Sequence, residues 1–387
     1  MPYVPFPDVA ASFVLDRHLT LEVDFFLSYR RQTGTAIAFL VLHFVFFALV
    51  LVTYLRLFLV IQSDPGVTPL GPKAAEQDTA TKRGGQGEPD LEAAQRYEAQ
   101  PDDDPDSPGL ERFYSKDVFV CETDGRPRWC STCRNWKIDR AHHCREIERC
   151  VRKMDHYCPW VGGIVAETSF KFFVQFTFYT AVYSIIVIVA AVICFQFKVR
   201  NGLGVDGVII GALALAAFFG LFTSTMTAVS VRYILLNLTT VDYVKAKNVV
   251  HQLAIRVPRG TPPGQNYIVV TYPLPKKPGE ANSAKTAGND ATSPRDQLAT
   301  RTFAVVKTEI GENPWDLGYY RNWKSVMGDT VVDWLLPIRR SPCALYENNV
   351  SFYEMGPLYQ KLRDRFQLPP LSAEGEGMGI EMRERER

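Results

Sequence analysis

The chain has almost no net charge: 43 Lys and Arg stand against 42 Asp and Glu over 387 residues, leaving +1 at neutral pH. That balance supplies no bulk attraction to a polyanion, so nucleic acid is not an expected partner. Histidine is scarce, at six, and cysteine numbers eight. The N-terminal segment 1–34 has no basic start followed by an apolar run, so it does not read as a secretory leader. Pro2, Pro5 and Pro7 break it, and charges recur at Asp16, Arg17, Glu22, Asp24, Arg30 and Arg31. The long apolar runs lack paired charges and internal repeats, which disfavours a transporter.

Hydrophobic residues are 47% of the chain, an ordinary average spread very unevenly. Residues 35–61 form an apolar run with His43 inside it and Arg56 near its end, long enough to cross a bilayer core of about 30 Å as a helix. His43 is expected to be neutral and hydrogen-bonded between helices. Ser63-Asp64-Pro65-Gly66 reads as a turn that stops the helix. Residues 67–114 are largely Gly, Pro, Ala, Asp and Glu, which predicts a disordered linker. Two further apolar runs follow at 172–195 and 208–231. The small residues at 211–220 suit close helix contact, or room for an acyl chain beside it. Residues 232–387 read as a cytosolic C-terminal region with a Pro, Lys and Ser-rich loop at 273–301 and a solvated charged end at 372–387. Within it, 313–328 predicts an Asn-Pro turn, then a short amphipathic helix anchored by Tyr319, Tyr320 and Trp323 that docks the tail under the membrane domain.

The scarce residues are concentrated. Cys130 to Trp160 holds five of the eight cysteines and three of the six histidines. Cys130-Ser-Thr-Cys133 is a chelating turn, and with His143 and Cys150 it supplies three thiolates and one imidazole, a closed tetrahedral set for one structural zinc ion. The alternatives are small buried hydrophobes or a disulfide framework. Interleaved His and the reduced thiols of a large intracellular chain disfavour the latter. Asp155-His156-Tyr157-Cys158 places acid, base and thiol within four residues. A free thiol has a pKa of about 8.5, so an imidazole that takes its proton and a carboxylate that orients the imidazole would make Cys158 a nucleophile. The alternative is that Cys158 is one more zinc ligand. Cys121 reads as a plain thiol, and Cys343 as a weak candidate for lipidation.

The order Cys130, Cys133, Arg140-Ala-His-His-Cys144, Cys150 to Trp160 and Phe170-Lys-Phe-Phe173 resembles the DHHC-type protein S-acyltransferases, in the fungal subgroup whose signature is Asp-His-Tyr-Cys. The resemblance implies an α-helical polytopic membrane protein with a small zinc-binding cysteine-rich domain, here 115–170, inserted between transmembrane helices. It implies Cys158 as nucleophile with His156 and Asp155 as the supporting pair, long-chain acyl-CoA as co-substrate, and membrane-associated proteins with cytosolic cysteines as acceptors. The setting implied is an endomembrane or plasma membrane, with the catalytic domain cytosolic. The family's second zinc set falls on Cys144, Ile147, Tyr157 and Ile164, three of them no longer ligands, so one zinc and an apolar plug are expected. The family's Asn-Asn is Gly162-Gly163, and its Thr-Thr-x-Glu is Thr239-Thr240-Val241-Asp242, which makes Thr240 a candidate to support the catalytic groups. Arg145, Arg149, Arg152 and Lys153 are candidates to meet the CoA phosphates or lipid headgroups, with plain solvated surface as the alternative. Members have four spans where three are found here, and Arg30 and Arg31 beside the first favour a family helix missing upstream. A catalytically silent scaffold and a RING-like recruitment module are the alternatives. The second needs eight ligands, and only one full set is present.

Overall fold

A computed structural model describes residues 33–71, 74, 110–204, 207–246, 250–272 and 301–371. The expectations for 1–32, for most of the 67–114 linker, for 273–300 and for 372–387 lie outside these residues.

Among the described residues three helices are long and apolar enough to cross a membrane. The first, α1 (Thr33–Ser63), runs about one turn beyond the apolar sequence. A short helix α2 (Glu111–Tyr114) follows, then strand β1 (Val118–Val120) and three two-stranded hairpins. The hairpins are β2 (Arg128–Cys130) with β3 (Asn135–Lys137), β4 (His142–Cys144) with β5 (Arg149–Val151), and β6 (His156–Cys158) with β7 (Gly163–Val165). Two more spans follow, α3 (Phe170–Arg200) and α4 (Gly207–Leu235). Helix α3 packs along both α1 and α4. Gly220 of α4 sits so close to α3 that an added Cβ would lie 3.0 Å from the Ser184 Cβ, the close contact that small residues permit. His43 is buried, with its ring nitrogens 3.4 Å from the Tyr183 hydroxyl of α3.

Beyond α4 come α5 (Thr240–Ala246), strands β8 (Gln252–Val257), β9 (Ile268–Tyr272) and β10 (Arg301–Lys307), and helices α6 (Tyr319–Met327), α7 (Val331–Leu335) and α8 (Leu358–Arg365). The three strands and β1 form one antiparallel sheet in the order β1-β8-β10-β9. Strand β1, assigned from sequence to the cysteine-rich segment, therefore belongs with the C-terminal region. Its core includes Phe113, Phe119, Phe303, Trp315 and Leu362. Sequence reading did not find this sheet. Strand β1 is buried at every residue and β10 at five successive positions, so the period-two alternation that marks a half-exposed strand is missing.

The two ends of the predicted linker are ordered, contrary to a linker reaching from 67 to 114. Val67 bridges to Val151, Thr68 N donates to Cys150 O at 2.8 Å, and Gly71 N donates to Cys133 O at 2.9 Å. At the other end Leu110, Phe113 and Tyr114 are core residues. Gly71 passes so close to the chelating turn that a Cβ there would lie 1.6 Å from the Arg134 carbonyl oxygen.

Candidate active site and metal centre

The hairpin turns carry residues in the left-handed region, Arg134 at φ 47° and Glu148 at φ 51°, which lets each strand pair reverse within a few residues. The result brings Cys130, Cys133, His143 and Cys150 together with all ligand atoms within 4.8 Å of one another. The three sulfurs lie 3.6, 3.4 and 3.9 Å from His143 Nδ1. Tetrahedral zinc with its usual bond lengths requires sulfur-to-nitrogen separations of about 3.5 Å, so the donor set fits that ion.

The positions of the family's second set look different. Cys144 and Ile164 are buried with Val151 and Ala166 in one apolar cluster, flanked by Ile147, Val67 and Met154. The Cys144 thiol donates to Glu146 Oε2 at 3.0 Å, and burial pushes its pKa up to about 11. Tyr157 faces Ile164 across the β6–β7 pair and is 37% exposed.

Successive side chains in a strand point to opposite faces, so His156 and Cys158 share one face of β6 and Tyr157 takes the other. Asp155, just before the strand and 3% exposed, accepts from His156 Nδ1 at 2.7 Å. The same carboxylate accepts from the Thr240 backbone N–H at 2.9 Å and the Thr240 hydroxyl at 3.0 Å. Burial works against charge on His156. Hydrogen bonds to Asp155 and Cys158 and the charges of both outweigh it, raising the imidazole to about 9. With Nδ1 committed to Asp155, Nε2 is left for the thiol. Phe173 of α3 packs its ring against His156 at 5.2 Å. Cys158 is 7% exposed in a cluster that draws Leu57 and Ile61 from α1, Phe172 and Phe173 from α3, and Val326 and Met327 from α6. The 3₁₀ turn Pro159–Val161 follows it and closes at Gly162, φ 74°. At Gly163 a Cβ would lie 2.6 Å from Ile61, so the glycine pair where the family has Asn-Asn lets α1 approach the strand after the nucleophile.

Behind the catalytic groups is an ionic network that sequence reading did not find. Arg140 is 2% exposed, and its guanidinium donates to Asp242 Oδ2 at 2.5 and 3.1 Å, to Asn237 Oδ1 at 2.9 Å and to Asn237 O at 2.9 Å. It lies 5.0 Å over the Trp315 ring. Burial works against the charge of Asp242, but Arg140 overcomes it and holds the carboxyl well below the usual range. Asp242 also accepts from Thr239 N at 3.2 Å, so it caps the start of α5 while holding Arg140. The C-terminal motif closes the same region: Asn313 donates to Leu236 O at 2.9 Å and Asn322 to Leu235 O at 2.7 Å, both at the end of α4. The tail thus docks beneath the membrane helices.

Three of the four cations that were candidates for CoA phosphates or lipid headgroups are engaged within the protein. Arg149 donates to Thr68 O at 2.7 Å, Arg152 pairs with Glu167 at 2.8 Å, and Lys153 is buried against Asn237 Oδ1 at 3.1 Å. Arg145 is exposed. A different basic group has formed. Arg128 and Lys137 stand directly opposite each other across β2–β3, a like-charge pairing that is unfavourable unless an anion joins it. Lys245, 3.1 Å from His142, and His251 line a cavity with Arg128, which the Arg140–Asp242 ion pair also lines. Burial and the Arg128 charge push His251 down to about 4.

These features define a membrane-embedded protein with a Cys3His metal-type knuckle and an Asp-His-Cys triad on the neighbouring hairpin. A model of the DHHC palmitoyltransferase family matches residues 123–247. The chain is 40% identical over 368 residues to palmitoyltransferase pfa5 of Aspergillus fumigatus, covering 86% of this chain and 80% of that one. It is 36% identical over 407 residues to palmitoyltransferase pfa5 of Emericella nidulans, covering 92% and 82%. A shorter match, 31% over 132 residues, covers 34% of this chain and 37% of palmitoyltransferase PFA5 of Kluyveromyces lactis. The chain belongs to the DHHC palmitoyltransferases.

Proposed function

We propose that this enzyme transfers a long-chain acyl group from acyl-CoA to cysteine thiols of membrane-associated proteins through a thioester on Cys158. The observation that carries the reading is the hydrogen-bonded run from Thr240 to Asp155 to His156, with Cys158 on the same strand face as the imidazole. His156, raised to about 9, takes the proton of the Cys158 thiol as the sulfur becomes the attacking nucleophile. The thiolate attacks the acyl carbonyl, and the carbon–sulfur bond to CoA breaks. CoA leaves as a thiol with the proton from His156. In the second half-reaction the neutral imidazole takes the proton of the acceptor cysteine. That sulfur attacks the Cys158 thioester, the carbon–sulfur bond to Cys158 breaks, and the Cys158 sulfur leaves beside the imidazole that holds the proton. Asp155 keeps Nε2 aimed at sulfur throughout, and Thr240 holds Asp155.

Cys130, Cys133, His143 and Cys150 hold one zinc ion, whose part is to fix the hairpins that carry β6. Arg128, Lys137 and Lys245 receive phosphates of the CoA moiety, because Lys245 feels the charges of Arg128 and Lys137, which Asp242 opposes but which an anion would relieve further. Acyl-CoA and reduced acceptor thiols place the catalytic domain on the cytosolic face of an endomembrane or the plasma membrane.

The test is labelling of the purified full chain with tagged palmitoyl-CoA, beside Cys158→Ser and Arg128→Glu. Wild type is expected to carry label that hydroxylamine releases, Cys158→Ser none, and Arg128→Glu label only at severalfold higher acyl-CoA. An unlabelled but zinc-loaded wild type overturns the reading in favour of a silent scaffold. An unchanged acyl-CoA dependence in Arg128→Glu removes the basic group from the donor site.

A further inference from the structure

The C-terminal region reads from sequence as cytosolic, yet one part of it is built for an apolar medium. Helix α7 and the residues after it expose Val331, Val332, Leu335, Leu336 and Ile338, each between 38% and 61% exposed. In water such a strip on a short tail segment is unfavourable. Its backbone is finished as if water were absent. The last carbonyls of a helix have no partner within it and ordinarily turn to solvent. Here side chains of the spanning helix α3 take them: Gln175 Nε2 donates to Asp333 O at 3.1 Å and Trp334 O at 3.0 Å, and the Tyr179 hydroxyl donates to Leu335 O at 2.6 Å. The start of α7 is closed as well, by a reciprocal cap between Thr330 and Asp333.

Depth follows from α3. Its 31 residues extend about 46 Å, some 16 Å more than the hydrocarbon core needs. Lys198 and Arg200 mark the far interface, so the core takes in roughly the last 20 residues before them. Tyr179 falls just inside that stretch. The carbonyl it holds lies at the boundary between headgroups and acyl chains, where amphipathic segments insert. Past the strip the chain turns polar, at Arg339, 74% exposed in its side chain, and Arg340, paired with Asp64 at 2.6 Å just beyond the cytosolic end of α1.

We infer that residues 331–338 are a re-entrant wedge seated in the lipid leaflet beside α3, with the acyl chains of the bilayer as the occupant of its apolar face. The argument is continuity: the strip extends the lipid-facing surface of α3, and its backbone carbonyls are satisfied by that helix. The opposite side of the wedge faces the catalytic cluster. Trp334 meets Trp323 of α6 at 5.9 Å, and both pack on the apolar group that contains Cys158. The leaflet therefore presses the tail against the nucleophile's surroundings.

The test places the photocrosslinking residue p-benzoylphenylalanine at Leu335, at Val332 or at Ile268 of β9, the last 47% exposed on the C-terminal sheet. Each full-length chain is reconstituted in phosphatidylcholine vesicles carrying an alkyne on the acyl chain. Retained palmitate labelling certifies folding. Light is expected to attach lipid at 335 and 332 at least tenfold more than at 268. Equal attachment at all three positions, no lipid adduct at 335 and 332 in a labelling-competent chain, or crosslinks there to a second protein chain overturn the proposal, the last in favour of a protein-docking face.

Discussion

At the residue scale the decisive fact is that two-residue spacing in a strand puts His156 and Cys158 on one face. Asp155 and Thr240 then set the chemistry. An imidazole raised to about 9 stays protonated at neutral pH, so formation of the acyl-enzyme is expected to fall as pH rises through about 9. Asp155→Asn removes a principal raising interaction while keeping the shape, so this limb should move to lower pH and the rate should fall by about 10²–10⁴. Rates of hydroxylamine-sensitive labelling across pH 6–10 measure both, and a limb that stays in place in Asp155→Asn would show that the carboxylate does not tune the imidazole. The same shift acts on stability with a defined sign. A histidine at about 9 folded and 6.5 unfolded stabilises the folded state fully below pH 6.5, and the contribution is lost as pH climbs through about 9.

At the element scale α5 is the link between the spans and the catalytic hairpin. Thr240 at its start holds Asp155, and Asp242, two residues on, is clamped by Arg140 beside β4. The Asp where the family has Glu is one methylene shorter, and Arg140 still reaches it with two donors. Lysine at 140 keeps the charge but not the planar fork that serves Asp242 and Asn237 together. Arg140→Lys is therefore expected to destabilise the folded protein by about 3 kcal/mol, read as a drop of several degrees in thermal unfolding of the zinc-loaded protein. A midpoint within a degree of wild type would mean that the network is not holding α5 in place.

At the scale of the whole molecule, three apolar helices and three hairpins among the described residues surround one small site, with a C-terminal sheet behind it. The metal knuckle is the part without an alternative core: Cys130, Cys133 and Cys150 cluster with only Leu70 beside them. Where a knuckle has so little apolar core, metal affinity is folding energy. The purified chain is expected to contain one zinc per molecule by elemental analysis. Cys133→Ser should lose it together with acyl-enzyme formation, and Cys144→Ser should keep it. Two equivalents in wild type, or zinc lost from Cys144→Ser, would mean that the apolar cluster around Cys144 and Ile164 is not a replacement for a second ion.

Much of this protein was readable because its chemistry is local. Spans announce themselves by length and composition, since a bilayer of fixed thickness admits little else. The knuckle and the acid–base–thiol run are close in sequence because chelation and proton transfer need groups a few ångströms apart. The expectation of an apolar plug at Cys144, Ile147, Tyr157 and Ile164 came from sequence residue by residue, and Cys144 and both isoleucines do meet in one apolar cluster. Long-range pairings were not readable. Strand β1 joins β8 across more than a hundred residues, buried strands carry no alternation, and Arg140 finds Asp242 and Asn237 only after α4 ends beside β4. The cations at 149, 152 and 153 looked free in sequence and were bound in the fold, while Arg128 and Lys137 became a pair only through strand register. The sequence by itself singled out the candidate groups for the chemistry and the segments long and apolar enough to cross a membrane, because those depend on composition and short spacing. Only the tertiary structure decided what supports them, because burial, ion pairing and register arise from segments that meet after the chain has folded.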